Sequence, residues 1–120
     1  MNFNIQEEST YTIITVWEEK LNALFTTELK EKMVAMCNNG IKNIILDLSR
    51  CKYCDSAGLG AILMGHRSCK NANGVFMLSG LNNSIERLIN ISQLSTILNI
   101  CTTLDEAIEK IMIYDMENLE

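Results

Sequence analysis

The amino-acid sequence predicts an α/β domain: one mixed five-stranded sheet with about four helices. Three observations predict it. Strand-like runs alternate with segments whose apolar residues recur at spacings of three and four. The run Ile44-Ile45-Leu46-Asp47-Leu48 is apolar enough to be covered on both faces, as central parallel strands are. The first two strand-like segments are joined only by Glu7-Glu8-Ser9-Thr10, so an antiparallel hairpin opens the chain before the crossovers begin. At 120 residues the chain is expected to fold as a single domain over 1–120, a monomer with its helices mainly on one sheet face.

Phe3-Asn4-Ile5-Gln6 and Tyr11 to Trp17 alternate apolar and polar residues, the second with one irregular step, and supply the hairpin strands. The polar stretch Glu18-Glu19-Lys20-Leu21-Asn22 leads into the first helix. There Phe25, Leu29, Met33 and Met36 line one side and Lys30, Glu31 and Lys32 the other. Thr26 or Thr27 is expected to cap it, and Asn38-Asn39-Gly40 to end it with a left-handed residue. A strand from about Lys42 to Leu48 follows. The next helix, from about Ala57 to Lys70, has Leu59, Ile62, Leu63 and Cys69 as its buried stripe and closes at Asn71-Ala72-Asn73-Gly74. Val75 to Leu78 reads as a strand, and Asn82-Asn83-Ser84 caps a short helix carrying Ile85, Leu88 and Ile89. A strand near Leu98 to Cys101 precedes a capping box, Thr103 with Glu106, and a last helix buries Ala107, Ile108, Ile111 and Met112. The acidic end, Asp115 to Glu120, reads as a frayed, solvated helix terminus.

Composition narrows the function classes. A net charge of −5 argues against direct nucleic-acid contact. No apolar run reaches the roughly 20 residues of a membrane span, so no membrane insertion is expected. The opening Met1 to Glu8 has neither the basic residues nor the apolar core of a signal peptide. Five cysteines, an odd number scattered through core-like segments, read as reduced thiols of a cytoplasmic protein.

The stretch that stands out is Cys54-Asp55-Ser56-Ala57-Gly58-Leu59-Gly60, where the central strand gives way to a helix. Asp55 and Ser56 are both good N-cap residues, and capping alone would explain them. The same place also suits a phosphate on Ser56, since helix amides and the positive end of the helix dipole converge there. Gly58 and Gly60 would keep the first turn slim, so that another protein could approach Ser56 closely.

Three matches make the chain resemble the STAS family, the bacterial anti-sigma factor antagonists. Ile44-Ile45-Leu46-Asp47-Leu48 through Tyr53-Cys54-Asp55-Ser56-Ala57-Gly58-Leu59-Gly60 is similar to the family's strand followed by Asp-Ser-x-Gly-Leu-Gly. Met77-Leu78-Ser79-Gly80-Leu81, then Ser84, Ile85-Glu86-Arg87-Leu88-Ile89 and Leu94, resembles its strand, capped short helix and return. Thr103-Leu104-Asp105-Glu106-Ala107 resembles the entry to its last helix. The resemblance implies that Ser56 is phosphorylated by a partner anti-sigma factor serine kinase and dephosphorylated by a cognate phosphatase. It implies further that the unphosphorylated form binds the kinase and frees the sigma factor. The partner surface implied is Asn22, Asp55, Ser56, Ala57, Gly58 and Leu59. The chain departs from the family before the first helix, where Glu19-Lys20-Leu21-Asn22 replaces the usual Gly-Glu-Leu-Asp, so one carboxylate beside the serine becomes an amide. STAS domains also serve as accessory subunits of lipid-transport ATPases and signalling assemblies, which is the alternative reading.

Other chemistry is less well supplied. Cys51-Lys52-Tyr53-Cys54 has redox-motif spacing, but Asp55 follows Cys54 and its charge opposes thiolate formation. Zinc would need a further ligand pair, and His66 is the only histidine. Gly58-Leu59-Gly60 lacks the lysine-serine ending of a phosphate-cradling loop. No nucleophile–base pair emerges, so the expectation is a non-enzymatic binding module with no cofactor and no metal.

Overall fold

The computed structural model describes residues 2–117. β1 (Phe3–Glu7) pairs antiparallel with β2 (Thr12–Val16), and β2 pairs parallel with β4 (Ile44–Asp47). β6 (Phe76–Ser79) and β7 (Asn99–Cys101) extend the sheet in parallel, giving the order β1-β2-β4-β6-β7. The helices are α1 (Thr26–Asn38), α2 (Ser56–Asn71), α3 (Asn83–Ile91) and α4 (Leu104–Glu117). The mixed five-stranded sheet and the four helices are those the sequence predicts. Two very short strands, β3 (Lys20–Leu21) and β5 (Tyr53–Cys54), form a separate parallel pair that hydropathy patterning leaves invisible.

Strand alternation divides the core in two. Ile14, Val16, Ile44, Leu46, Phe76 and Leu78 face α1, α2 and α3, whereas Ile13, Ile45 and Met77 face α4 through Ala107 and Ile111. Three helices thus share one face and α4 covers the other alone. This is why β4 reads as an unbroken apolar run.

Helix α1 buries Leu29, Met33 and Met36 as the spacing predicts, but its start differs. Neither Thr26 nor Thr27 caps it: Thr26 is buried, and the N-cap residue is Phe25, with no side-chain bond. Asn22 organises the entry instead. Its Oδ1 accepts from Leu24 N at 3.0 Å and its carbonyl accepts from Thr26 N at 3.3 Å. The buried stripe of α2 is built from smaller residues than expected: Gly58, Ala61, Ile62, Gly65 and Cys69, with Leu59 and Leu63 only half-buried. Small side chains let α2 lie close to its neighbours; a Cβ at Gly65 would collide with the Phe76 ring.

Caps end the other helices as expected. Asn82 Oδ1 accepts from Ile85 N at 2.9 Å, and Thr103 Oγ1 accepts from Glu106 N at 3.1 Å. Glu106 reaches back to Thr102 N at 2.8 Å, completing the box one residue early. The acidic end is less free than its composition suggests. Asp115 accepts from Asn43 Nδ2 at 3.4 Å and lies 3.9 Å from Lys42 Nζ, while residues 118–120 of the expected frayed tail fall outside the described part.

Candidate functional site

The site lies at the carboxyl edge of the parallel strands, where ligands of open α/β sheets characteristically bind. It is built by the β3–β5 pair. Glu19 O accepts from both Lys52 N at 2.7 Å and Tyr53 N at 3.0 Å, and Leu21 O accepts from Asp55 N at 3.3 Å. Cys51 Sγ donates to Glu18 O at 3.1 Å, and Asn82 Nδ2 donates to Lys52 O at 3.0 Å. The bonds from Glu18, Glu19 and Leu21 stitch the segment before α1 to the segment before α2, some thirty residues away in sequence, and Asn82 ties the cap of α3 to the latter. Asn22 is thereby brought beside Asp55, and the two line a shallow cleft of about 180 Å³ with Lys20, Leu21, Tyr53 and Cys54.

Asp55, not Ser56, caps α2. Its backbone is extended and its Oδ1 accepts from Gly58 N at 2.9 Å. Ser56 is therefore the first helical residue, exposed, at the positive end of a 16-residue helix. The competition between two potential caps resolves so that the carboxylate is spent on the backbone and the hydroxyl is left facing outward.

The remaining residues of the expected surface separate by exposure. Asp55 and Ser56 are exposed, Asn22, Ala57 and Leu59 half-buried, and Gly58 buried. This corrects one part of the sequence reading. A Cβ at Gly58 would collide with the Leu21 carbonyl oxygen and lie 2.7 Å from Cys54 Sγ, so this glycine admits the protein's own β3 segment. Gly60, with nothing within 4 Å of its would-be Cβ, is the one that leaves the helix open outward.

Asp47 is a buried carboxylate whose part the sequence does not reveal. It accepts from Ser49 N at 3.2 Å, Ser49 Oγ at 3.2 Å and Ser79 Oγ at 3.3 Å, which folds the chain back as it leaves β4. Three exposed apolar residues at this edge, which the sequence does not mark as functional, are Tyr53 in the cleft and Trp17 and Leu24 in an adjoining one. The available signal is that Leu24 stands one residue off the periodicity that Phe25 and Leu29 set for α1.

The thiols beside the site are chemically quiet. Burial, then the neighbouring Cys54, Asp47 and Glu18, push the Cys51 thiol up to about 12. Burial and the adjacent Asp55 likewise push Cys54 up to about 12. A redox-active cysteine needs the opposite shift, so this pair has no tendency toward thiolate at neutral pH.

The chain matches the STAS domain family over residues 2–107. A Thermotoga neapolitana homologue of TM1081, provisionally named an anti-sigma factor antagonist, is 35% identical over 74 residues. That match spans 62% of this chain and 66% of the relative, just under two thirds of the relative's length. The crystal structure of TM1081 from Thermotoga maritima, named in the same provisional way, superposes with a TM-score of 0.81 at 27% identity, covering 92% of this chain and 94% of that one. The unphosphorylated form of the anti-sigma factor antagonist SpoIIAA superposes with a TM-score of 0.79 at 20% identity over 92% and 96% of the two chains. The phosphorylated form of SpoIIAA, from Bacillus, gives 0.73 at 20% identity over 91% and 98%. At that identity the likeness is one of fold, while the match over residues 2–107 settles the family: the chain belongs to the STAS domain family.

Proposed function

We propose that this chain is an anti-sigma factor antagonist switched by phosphorylation of Ser56. Unphosphorylated, it binds an anti-sigma factor that is also a serine kinase and so frees a sigma factor; a phosphatase resets it. The observation that carries the reading is the division of labour at the start of α2. Asp55 holds the cap, and Ser56 presents an exposed hydroxyl that no capping bond consumes. The names of the relatives, and the two phosphorylation states in which SpoIIAA is known, support the same reading.

A phosphate on Ser56 would add about −1.5 to −2 charges beside Asp55, on a chain already at −5. The helix dipole favours it, but the Gly58 amide is already bound to Asp55, so the first turn has one donor fewer to offer. A partner surface shaped to a neutral hydroxyl would meet the added charge and its hydration as a direct cost. About 1.4 kcal/mol is already tenfold in affinity, and burying an uncompensated charge at a contact costs more.

The test is binding and phosphorylation with a purified ATP-binding anti-sigma serine kinase domain, sought among the neighbouring genes. Ser56→Ala should remain bound in the presence of ATP. Ser56→Asp and the phosphoprotein should bind at least about tenfold more weakly. Mass spectrometry after ATP incubation should place one phosphate, on Ser56. Phosphate elsewhere, or equal affinity of the two forms, would overturn the switch and favour a STAS subunit that uses this surface without modification.

A further inference from the structure

The edge that carries Ser56 also carries three exposed apolar side chains that a partner could grip. Leu24 is 91% exposed, Tyr53 57% and Trp17 45%. Single exposed apolar residues are common, so exposure alone argues nothing. Their placement does. Trp17 and Leu24 line a cleft of about 540 Å³, and Tyr53 lines the 180 Å³ cleft beside Asp55. Both clefts include Lys20 and Asn22, so the surface is continuous from Trp17 to Asp55.

The three side chains are carried on pinned backbone. Tyr53 sits in the β3–β5 ladder opposite Lys20. Leu24 follows the turn closed by Asn22 Oδ1, and Arg50 stacks its guanidinium over the Trp17 ring at 4.2 Å from the centroid. The backbone under Leu24 and Tyr53 and the Trp17 ring are thus ordered before binding, which lowers the entropy cost of a contact. A typical protein contact covers about 800 Å² on each partner, a patch roughly 30 Å across. Such a patch is as wide as this edge of the 39 × 24 × 22 Å domain. The clefts run without a break from Asp55, next to Ser56, to Trp17, so a kinase contact of ordinary size centred on this edge reaches them.

Resting on the reading of Ser56 as the phosphoacceptor, we propose that Leu24 and Tyr53 are the anchors that fix the specificity of this chain for its serine kinase. The kinase surface that fits them is apolar where Leu24 and Tyr53 land. It carries a hydrogen-bond acceptor for Asn22, whose Oδ1 already accepts from Leu24 N and whose Nδ2 is left to donate. An arginine at that place in the partner would find a single amide oxygen at Asn22, already bonded to Leu24 N, where a carboxylate would accept both prongs of its fork.

The experiment compares Leu24→Ala, Tyr53→Ala and the double variant with Met116→Ala in the full chain. Met116 is 71% exposed on α4, next to Asp115, which is anchored to Lys42 and Asn43 at the opposite edge. The probe is the same kinase domain, read two ways. One is the steady-state rate of Ser56 phosphorylation. The other is fluorine NMR of the chain labelled with fluorotryptophan, in which Trp17, the sole tryptophan, gives one signal. Each anchor variant should raise KM about tenfold with kcat kept, and Met116→Ala should stay within about twofold. An unshifted free-state signal would confirm that the variants keep their fold. If the double variant stays within about twofold while Ser56→Ala abolishes phosphate uptake, the anchor assignment fails and Ser56 stands. If Ser56 takes no phosphate but kinase-induced movement of the Trp17 signal still requires Leu24 and Tyr53, the acceptor reading fails and the surface stands. If neither phosphate nor signal movement is seen, both fall.

Discussion

The two ends of the sheet use polar residues in opposite ways. At the amino edge, buried Asn43 donates from Nδ2 to Thr10 O at 2.9 Å and to Asp115 Oδ1 at 3.4 Å, and its Oδ1 accepts from Val75 N at 3.0 Å. That edge holds a cleft of about 390 Å³, larger than the one beside Ser56, yet Asn43 in its wall is fully spent on the fold. At the carboxyl edge the backbone is equally well bonded, through β3 and β5, but Ser56, the Asn22 amide, Leu24 and Tyr53 face outward. Volume does not separate the edges, since the carboxyl edge has one cleft smaller and one larger than that of the amino edge, about 180 and about 540 Å³. What marks the site is polar and apolar functionality that the fold holds in place without consuming.

The comparison breaks most violently at a glycine. Gly58→Leu would drive a side chain into the Leu21 carbonyl and Cys54 Sγ, separating α2 from the β3–β5 pair. A loss above about 4 kcal/mol is expected, enough to unfold a marginal domain, so any loss of partner binding would be secondary. Thermal melts followed by circular dichroism check this; a variant melting like wild type would refute the packing role of Gly58.

Next comes the amino edge itself. Asn43→Ala removes partners from Val75 N and Thr10 O inside the structure. The expected cost is about 3 kcal/mol by urea denaturation, with unchanged affinity of the remaining folded protein for the kinase domain. Weakened binding at equal folded fraction would show that the two edges are coupled rather than divided.

How legible all this was in the sequence follows from which forces set each feature. Core placement follows hydropathy, and Leu29, Met33, Ile44 and Leu46 are buried where their periodicity puts them. Ser56 at a strand-to-helix junction was legible too, because capping chemistry is local. The β3–β5 pair was not, since two-residue strands carry no periodicity and are set by backbone bonds between distant segments. The roles of the two glycines were assigned alike, although only the structure shows Gly58 turned inward and Gly60 outward. Asp47 is legible as the end of β4 but not as a buried anchor, because a carboxylate satisfied by Ser49 and Ser79 cannot be told from an exposed one by type alone.

Gly60 offers a gentler probe of the same edge. With no neighbour within 4 Å of a Cβ, Gly60→Ala should stabilise α2 by about 0.5–1 kcal/mol through helix propensity. Kinase affinity is the sharper reading: a drop in binding alongside a raised melting temperature would place the partner directly over Gly60. Unchanged binding would move the footprint toward Asn22 and Tyr53.

The smallest effect distinguishes the edges by pH. Cys51 and Cys54 lie only at the carboxyl edge, and both thiols are raised to about 12, burial being the first cause in each. In the unfolded chain they titrate near about 8.5. A thiol raised on folding leaves stability intact below its unfolded pKa, and stability is then lost as pH climbs toward the folded value, because the unfolded state gives up its proton first. Between about pH 8.5 and 10 the urea midpoint should therefore fall progressively, with little change between about pH 7 and 8. Cys51→Ser with Cys54→Ser keeps a donor for Glu18 O while removing both titrations, so this alkaline decline should become shallower. It should not vanish, since burial also raises Cys37, Cys69 and Cys101. An identical decline in the double variant would mean that these two thiols ionise as freely in the folded domain as in the unfolded chain, and the quiet, protonated pair beside Ser56 would have to be given up.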